Sequence, residues 1–198
     1  MNGLKQFKQN SNKEKLHNMT NTKQILASIL YQLQAVKKGN FTLKSGAVSD
    51  IYVDIRLAAL SPSSLTLITE CIICLIIDFM KSNELCIGCD EGPGPSTILG
   101  AIISKYNVNG FVIRKQIKEH GTQKPFEGTF TKDIVFIEDV ATTGQSTINA
   151  IEKMPNKPKC VVVVVDREAE TKEALNKIGV ELHSIFTLNE LRNFNVIK

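Results

Sequence analysis

This chain has no apolar run long enough to cross a bilayer. The longest, Leu65–Met80, is broken by Glu70, and a spanning helix needs about 20 consecutive apolar residues. Nor does the start of the chain hold the apolar segment of a secretory signal. From Met1 to about Asn21 it is polar and rich in Lys and Asn; it lacks Arg and contains Glu14, so it fits a transit peptide poorly. Residues 1–21 read as a mobile extension, and a cytoplasmic location is the expectation. Arginine is scarce, four residues against twenty lysines, and the net charge is only +4. That is far from the dense Lys/Arg stripe of a nucleic-acid footprint, so neither nucleic acid nor membrane is an expected partner. The chain has no internal repeats, and the GxxxxGK[ST] signature of a P-loop is absent.

Five cysteines include two CxxC pairs, Cys71/Cys74 and Cys86/Cys89, the spacing of a tetrahedral zinc site. Their surroundings argue against a metal. Cys71 and Cys74 sit in LITECIICLIIDFM, an apolar helical pattern. Cys86 and Cys89 sit in LCIGC, a short strand whose alternation points them to opposite faces. They read as small buried hydrophobes, and a reducing compartment disfavours disulfides.

Hydrophobic content of 42% over 198 residues is ample for one domain, expected over residues 22–198. Helix and strand signals then alternate. Thr22–Lys37 has apolar residues at helical spacing, and Phe41–Asp54 reads as a hairpin around a Lys-Ser-Gly turn. Ser61–Met80 is helical, Glu84–Cys89 a strand, Asp90–Pro95 a Gly/Pro loop and Ser96–Tyr106 a helix. Gly110–Arg114 is a strand, and Lys115–Thr131 a long loop of the kind that is usually functional or disordered. Ile134–Ile137 and Cys160–Val165 are buried strands, followed by helices over Gln145–Met154 and Glu168–Lys177. A strand at Leu182–Phe186 leads to a closing helix, where Thr187 and Glu190 have capping-box spacing. The pattern predicts an α/β domain, a mainly parallel sheet flanked by helices. Residues 22–60 form a small N-terminal hood over its edge.

The segment Ile134–Ser146, IVFIEDVATTGQS, carries the most chemistry. Glu138 and Asp139 end a buried strand, and a small-residue loop leads into a helix. Ligands of open α/β sheets bind outside the carboxyl ends of strands, and loop N–H groups backed by a helix N-terminus favour anions. Phosphate in the loop and acids beside it point to a sugar phosphate; an ordinary capped βα turn has the same outline.

The segment resembles the phosphoribosyl pyrophosphate (PRPP) motif of type I phosphoribosyltransferases. The string RKQIKEHGTQKPFEG adds to this: Arg114, Lys115, Lys118, His120 and Gly121 fall in the order Arg-Lys, two residues, Lys, one residue, His-Gly, with Glu127-Gly128 at the end. That order resembles the catalytic loop of the orotate phosphoribosyltransferase family. FTLKSGAVSDIYVDIR (Phe41–Arg56) is similar to the family's FTLxSGxxSxxYxD segment, and Asp166-Arg167 to its DR pair.

The resemblance implies transfer of ribose 5-phosphate from PRPP to orotate in pyrimidine synthesis, with Mg²⁺ carried by PRPP and no protein metal site. It implies that Arg114, Lys115, Lys118 and His120 stabilise the leaving pyrophosphate and that Lys44 contacts PRPP. Glu138 and Asp139 would hold the ribose hydroxyls. Val140, Ala141, Thr142, Thr143, Gly144, Gln145 and Ser146 would form the phosphate loop. Orotate would meet Thr142, Tyr52 and Arg167, although Tyr52 reads equally as a hairpin aromatic and Arg167 as a helix-start residue. A homodimer whose loop reaches the neighbouring site is implied in the same way. One departure stands out: Gly92 occupies a position where some bacterial members have Lys, and Pro93 and Pro95 remove N–H donors.

Overall fold

The computed structural model describes residues 12–42, 46, 48–116, 124–167 and 169–195. Helix α1 (Asn12–Gln32) leads into an antiparallel hairpin of β1 (Val36–Thr42) and β2 (Val48–Val53). Then come α2 (Ile55–Ala59), α3 (Pro62–Leu75), β3 (Leu85–Asp90), α4 (Pro93–Tyr106), β4 (Asn109–Ile113) and β5 (Phe126–Gly128). The chain closes with β6 (Asp133–Ala141), α5 (Gln145–Ile151), β7 (Cys160–Asp166), α6 (Ala169–Lys177), β8 (Glu181–Thr187) and α7 (Leu188–Asn193). The main sheet has six strands in the order β5-β4-β3-β6-β7-β8. All its pairings are parallel except β4 with β5. This is the expected α/β architecture. Among the described residues no helix is long and apolar enough to cross a membrane.

Strand alternation divides the core into two layers. Val135 and Ile137 of β6, with Val162 and Val164 of β7, join the core built by α1 to α4. Ile134 and Phe136, with Val161 and Val163, join Ile151 and Leu175 of α5 and α6. Cys89 belongs to the first layer and Cys86 to the second, so these thiols do face opposite ways. Gly88 in β3 makes room for the neighbouring strand: a Cβ there would lie 2.0 Å from Phe111 Cζ.

Several boundaries differ from expectation. Helix α1 begins at Asn12, inside the stretch read as an extension, and ends at Gln32. Gln34 adopts φ 56 and turns the chain into β1, so Val36 and Lys37 are strand. Helix α4 begins at Pro93 rather than Ser96. A proline at the first helical position loses no intrahelical bond, and the Gly-Pro-Gly-Pro run hid the start. Helix α3 stops at Leu75, with a 3₁₀ turn over Phe79–Lys81. The long loop contains β5, and β6 continues through Ala141, past the predicted end. The capping box at Thr187 and Glu190 forms as expected. The hairpin and α1 dock on α7, where Tyr31 donates to the Leu191 carbonyl at 2.7 Å and Arg192 forks onto Asp50.

Candidate active site

The alternation that divides the core also sorts the two acids at the end of β6. Glu138 continues the Phe136 face and meets α5, where Thr147 Oγ1 donates to its Oε2 at 2.9 Å. Oε1 of the same carboxyl is buried and has no protein partner. Burial pushes this carboxyl up to about 8; Asp90 and Asp139 push the same way, and the Thr147 hydrogen bond partly offsets them. Asp139 continues the Ile137 face and meets α4. A Cβ on Gly94 would lie 2.6 Å from Asp139 Oδ2, so glycine is what lets the first turn of α4 approach this acid. Asp139 accepts from the Val140 N–H at 2.9 Å. Burial raises its pKa, opposed by that bond and by the charge of Arg56.

Arg56 arrives from α2. Asp54 caps this helix, accepting from Arg56 N–H at 3.1 Å, and binds the Arg56 guanidinium at 2.7 and 2.6 Å. The fork holds the Asp54 carboxyl below its usual range. At the end of β3, Asp90 is raised by burial and lowered in part by Lys153 and Lys115. These groups converge on a cleft of about 250 Å³, lined by Arg56, Asp90, Lys115, Glu138, Asp139 and Ser146 among others. The cleft lies at the carboxyl ends of the parallel strands, as the sheet rule requires. Beside it, Gly144 takes φ 75 just before α5. Thr143, Gln145 and Ser146 are exposed there, while Thr142 is half-buried.

The structure therefore brings together Glu138, Asp139, Val140, Ser146 and Lys115. The Lys115 N–H donates to Glu91 Oε2 at 3.3 Å. The Arg114 guanidinium pairs with Glu127 on β5. The Arg114 carbonyl accepts from Lys153 Nζ at 3.0 Å. Gln145 bonds Asn149 within its own helix at 2.8 Å. Arg167 follows β7, its N–H donating to the Ala141 carbonyl at 2.9 Å. Arg167 Nε is buried and has no protein partner. Tyr52 lies on the hairpin, ring to ring with Phe41 at 5.5 Å. Lys44, Lys118 and His120 lie outside the described residues. Arg56, Asp90 and Glu91 had no role assigned from sequence. Asp90 ends a buried strand as Glu138 and Asp139 do, and that signal could have found it.

No family model matches the chain. Orotate phosphoribosyltransferase of Methanopyrus kandleri is 34% identical over 178 residues, 88% of this chain and 94% of that protein. The crystal structure of orotate phosphoribosyltransferase from Aeropyrum pernix superposes with a TM-score of 0.70 at 27% identity, covering 84% of this chain and 95% of that one. Leishmania donovani UMP synthase gives a TM-score of 0.70 at 29% identity over 88% of this chain, which spans 39% of its length. With the acid pair, the loop and Arg167 already in place, the curated relative settles the family. The chain belongs to the orotate phosphoribosyltransferases.

Proposed function

We propose that the chain transfers the ribose 5-phosphate group of PRPP to orotate, forming orotidine 5′-monophosphate and pyrophosphate in pyrimidine synthesis. Family membership supports the reaction. The observation that carries it to these residues is the cleft in which Glu138, with one free carboxyl oxygen, and Asp139 sit beside the Thr142–Ser146 loop.

In this reading Glu138 Oε1 and Asp139 accept hydrogen bonds from the ribose hydroxyls. Loop N–H groups and the hydroxyls of Thr142, Thr143 and Ser146 hold the 5′-phosphate, and Val140, Ala141, Gly144 and Gln145 supply its backbone frame. As the bond to pyrophosphate breaks, positive character grows on the sugar and negative charge on the leaving group. Cations fixed near that charge stabilise the transition state. Lys115 lines the cleft; Lys44, Arg114, Lys118 and His120 complete the set by resemblance. Arg56, in the wall that contains Gly92, supplies a cation where the family lysine is missing. Arg167, with its unpartnered Nε, suits the orotate carboxylate; Thr142 and Tyr52 flank the base.

Mg²⁺ enters as part of the substrate, bound to PRPP. Among the described residues no group of three or more His, Cys, Asp or Glu side chains is placed to hold a metal ion. Cleft carboxylates without a closed cage suit an ion that keeps waters and substrate phosphates as ligands. A cytoplasmic homodimer sharing its basic loop across the interface completes the proposal, on the strength of the family. The test follows orotate absorbance with purified protein, PRPP and Mg²⁺, with uracil and adenine as competitors. Orotate loss that needs both PRPP and Mg²⁺ is the expected outcome; turnover of another base in its place overturns it.

A further inference from the structure

The roles above leave one buried hydroxyl next to the loop unused. Thr171 of α6 is fully buried, and its Oγ1 donates to the Thr142 carbonyl at 2.7 Å. One residue earlier, the Ala141 carbonyl accepts from Arg167 N–H. Two successive carbonyls at the exit of β6 are thus tied to the segment that follows β7. Gly144 packs against the same threonine, where a Cβ would lie 3.3 Å from both Thr171 Cα and Cγ2.

A peptide unit is planar, and no described peptide bond is cis. In a trans unit the C=O and N–H point in opposite directions. Holding the Thr142 carbonyl on Thr171 therefore turns the Thr143 N–H away from α6, to the side where Thr143, Gln145 and Ser146 are exposed. The chemistry of threonine fits such a brace. Its branched side chain is stiff, and its hydroxyl supplies a donor that valine, of nearly equal shape, lacks.

We propose that Thr171 is a positioning residue, which pre-sets the Thr142–Thr143 peptide so that loop N–H groups converge on the 5′-phosphate of the substrate. It acts through the loop and touches no part of the substrate. The inference rests on the function proposed above and deepens it by naming what orients the phosphate site. It also joins the two ends of the substrate pair, since the segment that carries Arg167 braces the loop.

The experiment compares wild type, Thr171→Val and Thr171→Ser in steady-state kinetics, and by calorimetric titration with ribose 5-phosphate. Thr171→Val raises KM for PRPP and Kd for ribose 5-phosphate on the order of tenfold, the scale of one lost hydrogen bond. KM for orotate stays within about twofold. Thr171→Ser, which keeps the donor, stays near wild type in both. A merely structural role lowers the unfolding temperature and the active fraction without moving Kd. Wild-type affinity in Thr171→Val, or a serine variant as impaired as the valine one, overturns the proposal. Thr171→Ala gives the same reading of affinity if the valine variant does not fold. A wild-type chain that binds ribose 5-phosphate but turns over no orotate overturns the function alone; the titrations still decide the role of Thr171. A wild-type chain that binds no ribose 5-phosphate overturns the phosphate site and Thr171 with it.

Discussion

Thr147 Oγ1 holds one oxygen of the Glu138 carboxyl at 2.9 Å and leaves the other buried without a partner. A half-satisfied buried acid is costly to a folded protein, and in the proposed function a ribose hydroxyl completes it. The local penalty in the free protein is measurable through pH.

The folded pKa of Glu138, near 8, lies above its ordinary value of 4.5. Between these limits the folded state keeps a proton that the unfolded state releases, so stability falls as pH rises through the window. Glu138→Gln removes the effect. Its unfolding temperature should exceed that of wild type at pH 8.5, with the gap closing toward pH 5, while PRPP affinity is lost. Parallel stability profiles for the two proteins would contradict the burial argument. Thr147→Val removes the bond that favours the ionised form, so its penalty should begin at lower stability and extend to higher pH.

The close approach of α4 to Asp139 gives a second prediction. Gly94→Ala would place a methyl carbon within 2.6 Å of Asp139 Oδ2, and either the acid or the helix must shift. Displacing a positioned group by about 1 Å can cost on the order of a hundredfold in rate. kcat/KM for PRPP should fall by at least about tenfold, well beyond any loss of stability. Wild-type kinetics in a folded Gly94→Ala protein would show that Asp139 does not need its present place.

Much of this site was legible because buried strands announce themselves. CVVVVV and IVFI could only be interior strands, and acids at the end of one mark the sheet's ligand edge. The Thr187/Glu190 capping box is a local device, so it too could be read directly. Arg56 was not legible, because its place in the cleft depends on α2 packing beside β6, a contact between distant segments. Arg114 was readable only as a loop cation. Its pairing with Glu127 exists because three residues, Phe126–Gly128, return along β4 as an antiparallel strand, and the surrounding charge pattern masked them. The start of α1 was hidden for another reason: residues 12–21 hold only two apolar side chains, Leu16 and Met19, too few to show a helical period.

Gly88 separates folding from catalysis. Its missing side chain accommodates the Phe111 ring, three of whose carbons would lie within 2.5 Å of an added Cβ. Overpacking of this kind costs about 1–3 kcal/mol or more. Gly88→Ala should lower the unfolding midpoint accordingly, while KM for PRPP and orotate in the folded fraction stay near wild type. A selective rise in one KM would mean that β3 transmits strain to Asp90.

Arg167 tests the base end of the site. Its Nε is buried without a protein partner, and its backbone N–H is pinned to the Ala141 carbonyl, which fixes where the side chain leaves the strand end. A planar fork on a carboxylate is a strong, charge-assisted contact. Truncation leaves the substrate charge unpaired, which costs about 2–5 kcal/mol at a buried site. Arg167→Ala should therefore raise KM for orotate by at least about thirtyfold. KM for PRPP should change far less, because the backbone N–H to the Ala141 carbonyl survives the substitution. Lysine keeps the charge but loses the fork, so Arg167→Lys should recover only part of the affinity. An equal loss for both substrates would mean that Arg167 supports the loop, and that orotate finds its carboxylate partner elsewhere.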